Sequence, residues 1–154
     1  MTYAVVDSPL GPLTLVADGA AVAGLYMAEH RHQPPLVGDR DDGVLPDLQE
    51  QLRAYFRREL KEFDVVTSVV GTEFQRRVWA GLAQIPYGET WSYAELAEHL
   101  GSPRAVRAVG LANGKNPISI VVPCHRVVGA DGSLTGYGGG LERKRMLLDL
   151  ERGC

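Results

Sequence analysis

The chain has 154 residues, 45% of them hydrophobic and 23% charged, with a net charge of −3. That length supports one good core or two small ones, and no apolar run approaches a membrane span. Its two cysteines, Cys124 and Cys154, form no CxxC pair. This argues against a disulfide framework or a cysteine-rich zinc site and points to a reduced, cytoplasmic setting.

Met1 to Asp7 lacks the basic-then-apolar pattern of a secretory signal. Thr2 to Asp7 reads as a short strand, Ser8-Pro9-Leu10-Gly11-Pro12 as a turn, and Leu13–Val16 and Val22–Met27 as further strands split by Asp18-Gly19. Together they form a small antiparallel sheet. His30 to Pro46 is rich in Pro, Gly and Asp and reads as a loop. His30 and His32 lie in or beside it, but no further ligand completes a metal site, so they read as surface histidines. Asp47 to Leu60 is an amphipathic helix with Leu48, Leu52, Tyr55, Phe56 and Leu60 on one stripe. Glu62 to Val70 reads as one more strand, and Gly71 as the boundary between a domain over 1–70 and a domain over 71–154.

The second part opens with a capping box, Thr72 with Gln75, and a helix to about Ile85. A second box, Ser92 with Glu95, starts a helix that stops at Gly101. Ser102 then reads as the cap of a third helix, with Pro103 at its first position, running to about Asn113. These two short helices make a helix-turn-helix. The third carries Ala105, Ala108 and Ala112, edged by Arg104 and Arg107. Such a small-residue stripe suits either close approach to a nucleic-acid groove or a tight helix–helix contact. The fold class is therefore an α/β N-terminal domain, a small antiparallel sheet plus helix, followed by a mainly α C-terminal domain with a helix-turn-helix.

Charge is unevenly spread. From His99 to Ala130 there is no Asp or Glu, while Arg104, Arg107, Lys115 and Arg126 fall there. A local basic face on an acidic chain can bind phosphates, although four charges alone also describe an ordinary solvated surface.

The apolar run Ile118 to Val122 reads as a buried strand leading into Pro123-Cys124-His125-Arg126. A lone cysteine is commonly a structural core residue. An imidazole beside it and a guanidinium beyond instead suit thiolate chemistry, because such neighbours lower a thiol's pKa. The stretch Gly129 to Gly140, with Tyr137 among glycines, matches no phosphate-binding loop and allows either close approach to a ligand or plain flexibility. A closing helix over about Leu141–Glu151 puts Glu151 on the face of Leu147 and Leu148, where a carboxylate needs a partner. Cys124, His125 and Glu151 then fit the logic of nucleophile, base and orienting acid.

At this point the chain resembles the O6-alkylguanine-DNA alkyltransferases, or methylated-DNA–protein-cysteine methyltransferases. The resemblance rests on Gly71-Thr72-Glu73-Phe74-Gln75, Val78-Trp79, Ile85-Pro86-Tyr87-Gly88, Ser92-Tyr93, Arg107-Ala108-Val109-Gly110, Asn116-Pro117, Pro123-Cys124-His125-Arg126-Val127 and Gly136-Tyr137-Gly138-Gly139, in family order from Gly71 to Glu151. It implies single-use DNA repair: an alkyl group passes from O6-alkylguanine, and from O4-alkylthymine, to Cys124. His125 would deprotonate Cys124 through a water, Glu151 hold the imidazolium, Asn116 brace the turn, and Tyr93 assist the leaving guanine. Arg107 would fill the space of the flipped base; Arg104, Ala105, Ala108, Tyr93 and Arg126 would meet DNA. Val127, Tyr137, Gly138 and Lys144 would form the substrate pocket.

The implied partner is double-stranded DNA carrying the lesion, met in the minor groove by a monomer or by monomers side by side. No cofactor, metal or membrane is implied; family members with an N-terminal zinc use cysteines that this chain lacks. The alternatives are an alkyltransferase-like protein that only binds lesions, which carries Trp in place of the acceptor cysteine, a helix-turn-helix regulator, and a cysteine hydrolase.

Overall fold

The computed structural model describes residues 1–30, 33–36 and 38–153. Three N-terminal strands follow the alternation in the sequence: β1 (Thr2–Val6), β2 (Leu13–Asp18) and β3 (Ala21–Met27). Ala4, Leu13, Leu15 and Ala17 turn to one buried face, and β1 pairs antiparallel with β2, Ala4 opposite Leu15. The 30–46 loop adds a two-residue strand, β4 (Asp39–Arg40), which pairs parallel with β1. The sheet is therefore mixed, in the order β3-β2-β1-β4, rather than purely antiparallel.

Helix α1 (Pro46–Phe56) buries Leu48, Leu52 and Tyr55 in the same core as the sheet. It ends a turn earlier than the stripe to Leu60 implies. Arg58 adopts φ 62°, its amide bonds Tyr55 O, and the Glu59 amide reaches Ala54 O. This closing pattern satisfies the last carbonyls and turns the chain away. The expected strand over Glu62–Val70 does not form; a single bridge joins Thr67 to Val22. The outer edge of β3 is shared. Val22 exchanges hydrogen bonds with Val66 and Ser68, and Leu25 with Pro117 and Ser119. The latter pair ties the sheet to the segment that precedes Cys124.

Both capping boxes are present, at Thr72 for α2 (Glu73–Leu82) and at Ser92 for α3 (Tyr93–His99). Helix α4 (Val106–Gly114) begins four residues after the expected cap. Gly101 and Ser102 close α3, their amides bonding Glu98 O and Ala97 O, so Ser102 belongs to the stop of one helix rather than the start of the next. Trp79 on α2 donates its indole N–H to Ala112 O at 2.9 Å, locking α2 to α4.

The expected strand over Ile118–Val122 is also absent. Asn116 closes this segment on itself, accepting from the Ile118 amide at 3.1 Å and donating to Val122 O at 2.8 Å. Ile120 sits at φ 71°, a region that β-branched residues avoid, while being buried. Cys124 thus opens a short 3₁₀ turn (Cys124–Arg126), not the end of a strand. Two-residue strands β5 (Trp91–Ser92) and β6 (Val127–Val128) pair in parallel, and α5 (Leu141–Arg152) closes the chain. Among the described residues no helix is long and apolar enough to cross a membrane.

Candidate active site

The sequence makes His125 follow Cys124; the fold brings Glu151 to His125. On α5, Lys144, Leu147, Leu148 and Glu151 share the buried face, which delivers the carboxylate to the 3₁₀ turn. His125 Nε2 lies 2.7 Å from Glu151 Oε2, and neither side chain is exposed. A carboxylate only accepts, so Nε2 carries the hydrogen and Nδ1 keeps its lone pair. That Nδ1 is buried and bonds no other protein atom among the described residues.

Arg126 departs from the expected placement against DNA. It is buried, with Nε 2.8 Å from Glu151 Oε1, Nη2 3.0 Å from Oε2, and Nη1 donating to Ile85 O at 2.7 Å. Its charge serves the carboxylate. Tyr55, absent from the expected site, also reaches it: its hydroxyl donates to Glu151 Oε2 at 2.6 Å from α1. Only its place on a buried stripe was visible in the sequence.

Burial alone would raise the Glu151 carboxyl, but hydrogen bonds from His125 and Arg126 and the Arg126 charge outweigh it and hold the group far below the ordinary carboxylate range. His125 is lowered, chiefly by burial and against the pull of Glu151, so the resting imidazole is neutral. Burial also raises the Cys124 thiol; Asn116, the Lys144 charge and Ser119 work the other way. The resting pair is thiol and imidazole, a nucleophile that needs its base. Lys144 is fully buried, donates to Thr135 O at 2.7 Å, and is lowered by burial to about 8.

A cleft of about 300 Å³ lies between α4 and the glycine-rich loop, lined by Tyr137 and Gly138 among the expected pocket residues, by Tyr93, expected to assist the leaving guanine, and by Leu111 and Lys115 besides. Val127 and Lys144 lie beneath the surface. Tyr93 donates to Thr135 O at 3.1 Å. Gly138 and Gly139 serve close packing within the protein: a Cβ on Gly138 would stand 2.6 Å from His30 Nε2, and one on Gly139 would meet Met27 Sδ. Among the described residues no cluster of three His, Cys, Asp or Glu side chains is arranged to hold a metal ion. His32 and Cys154 lie outside those residues.

The alanine stripe of α4 divides. Ala112 is buried toward α2, Ala105 is half-buried, and Ala108 is exposed beside Arg104 and Arg107. Leu111, 66% exposed, extends that outer face. The helix–helix contact therefore accounts for Ala112, while Ala108 lies on a face that packs against nothing among the described residues.

The description of the 6-O-methylguanine DNA methyltransferase DNA binding domain matches residues 73–153, and that of the ribonuclease-like domain of the same proteins matches residues 1–69. The chain belongs to the 6-O-methylguanine DNA methyltransferase family. A methylated-DNA–protein-cysteine methyltransferase from Mycobacterium bovis is 55% identical over 97% of this chain and 92% of its own. One from Methanosarcina acetivorans is 47% identical over 100% of both. The crystal structure of Mycobacterium tuberculosis OGT in complex with DNA superposes with a TM-score of 0.96 at 54% identity, over 99% of this chain and 94% of that one. In this methyltransferase chain Cys124, His125 and Glu151 all fall in the DNA-binding match, whereas Tyr55 falls in the ribonuclease-like one.

Proposed function

We propose that this protein repairs DNA by direct reversal, moving an alkyl group from O6 of guanine, and from O4 of thymine, to the Sγ of Cys124. The observation that carries the reading is the buried His125–Glu151 pair, which leaves the lone pair of Nδ1 free one residue from the thiol. The Cys124 proton passes to His125 through a water, and Glu151 stabilises the imidazolium that forms. The sulfur attacks the alkyl carbon in line; the S–C bond forms as the C–O6 bond breaks. The guanine leaves with the bonding pair and takes up a proton, assisted by the Tyr93 hydroxyl at a ring nitrogen. The thioether is stable, so each molecule acts once and needs no cofactor.

A cysteine cannot reach O6 inside a stacked duplex, so the base is flipped. The exposed face of α4 with Arg107 and Ala108, and Arg104 in the turn before it, suits the minor groove, and Arg107 fills the gap left by the flipped base. Ala105 supports that face from its edge. Asn116 braces the Cys124 turn through its bonds to Ile118 and Val122. The Lys144 charge favours the thiolate from beneath, and Tyr137, Gly138 and Val127 shape the pocket around the base. The structure of the Mycobacterium tuberculosis relative in complex with DNA supports DNA binding; the partner in this reading is a duplex, met by a monomer or by neighbours side by side.

Mass spectrometry after incubation with a duplex containing one O6-methylguanine tests this. One methyl adduct per chain, on Cys124 and absent from Cys124→Ser, is the expected result. Tight lesion binding with no adduct would favour a pure lesion binder, and repeated turnover a hydrolase.

A further inference from the structure

Glu151 Oε2 receives three donors: the Tyr55 hydroxyl at 2.6 Å, His125 Nε2 at 2.7 Å and Arg126 Nη2 at 3.0 Å. A carboxylate oxygen offers about two lone pairs, so donors crowded on one oxygen share its electron density. We propose that Tyr55, reaching across from the N-terminal half, is a positioning residue of alkyl transfer: its hydrogen bond to Glu151 Oε2 limits the carboxylate's hold on His125 and so keeps the imidazole neutral and able to accept the thiol proton.

The link is specific. Tyr55 lies 96 residues from Glu151 in sequence and is fully buried. Its ring is fixed by Phe56 and Phe63, each with centroids at 5.3 Å, and by Tyr87 at 6.4 Å. A hydroxyl held this rigidly costs little further ordering when it bonds. Burial and then the Glu151 charge push the Tyr55 hydroxyl far above its ordinary range, so it stays protonated and donates at any working pH.

Other groups face the same carboxylate. Arg126 comes from the 3₁₀ turn and Tyr87 from the loop after α2; Lys144 lies on the same helix and acts on His125 by its charge. From the glycine-rich loop, Tyr137 is influenced by both Glu151 and Cys124. None of these but Arg126 donates to Glu151 among the described hydrogen bonds. Arg126 holds the carboxylate ionised; Tyr55 adds a neutral donor that tempers it. The ribonuclease-like half thereby supplies a part of the site.

This inference rests on Cys124 being the alkyl acceptor and His125 its base. The test is the pH profile of alkyl transfer from free O6-benzylguanine, measured on the full chain by adduct mass. Wild type must first form the Cys124 adduct; if it does not, the functional reading fails before Tyr55 is tested. Tyr55→Phe keeps the ring and removes the donor. Its acid limb should move about half a unit or more to higher pH, slowing transfer about three-fold on the acid side of the limb's midpoint while the alkaline plateau persists. Incorporation of 3-fluorotyrosine at position 55 keeps the hydroxyl as a stronger donor and should move the limb the other way. Superimposable pH profiles, whether or not Tm falls, would overturn the proposal, because a purely structural hydroxyl changes stability without moving the limb.

Discussion

His125 gives its Nε2 hydrogen to Glu151 across 2.7 Å and leaves Nδ1 without a protein partner among the described residues. The carboxylate thereby selects the tautomer that can act as a base on the side away from it. It also makes imidazolium formation cheaper at the moment the thiol proton arrives.

Glu151→Gln tests that relationship. The amide still orients the ring but carries no charge, so alkyl transfer from free O6-benzylguanine should slow roughly 10–100-fold without vanishing. The second-order rate of Cys124 adduct formation is the measurement. An unchanged rate would make Glu151 a structural acid only.

Arg126→Ala should act on stability and not on DNA contact. It removes the guanidinium from a buried, hydrogen-bonded carboxylate, which costs on the order of 3–5 kcal/mol. Urea unfolding should report that loss. The slope of log affinity against log salt for duplex DNA should stay as in the wild type, because Arg126 is buried in the ion pair and meets no phosphate.

Arg107→Ala should do the opposite. Arg107 is exposed on α4 and makes no described hydrogen bond, so its loss should leave unfolding nearly unchanged. Unstacking a base costs about a few kcal/mol, so repair of a lesion in duplex DNA should slow by roughly ten-fold or more while reaction with free O6-benzylguanine is spared. Equal losses on the two substrates would remove Arg107 from the flipping step.

Acid should destabilise the fold in a defined window. His125 is lowered from 6.5 in the folded protein, so below that value the unfolded chain binds a proton that the folded one does not. The His125 contribution is complete well above pH 6.5 and is lost as pH drops through that value toward the lowered folded one. Glu151, held far below its ordinary 4.5, extends the loss further down. Urea midpoints from pH 7.5 to 5 should therefore fall, and His125→Gln should flatten the upper part of that fall. A flat wild-type curve would mean that the imidazole charges freely in the folded state.

Local sequence determined much of this protein. The strand alternation of β1 to β3, the boxes at Thr72 and Ser92, the stop at Gly101 and the placing of Glu151 beside Leu147 and Leu148 all depend on neighbours within a turn or a hairpin, where side-chain period and backbone bonding act directly. Cys124 and His125 were legible because they are adjacent. What sequence left open was which partner each buried polar group would find. Ile118 to Val122 is apolar enough for a strand, yet Asn116 takes up its backbone groups and forces Ile120 into a left-handed turn. Arg126 belongs by composition to a basic segment, yet the buried Glu151 carboxylate draws it inward. Tyr55 looks like any core aromatic until α1 and α5 are brought together across 96 residues. A buried charge must be satisfied by whatever the packed chain places within hydrogen-bond reach, and that choice is made by tertiary structure alone.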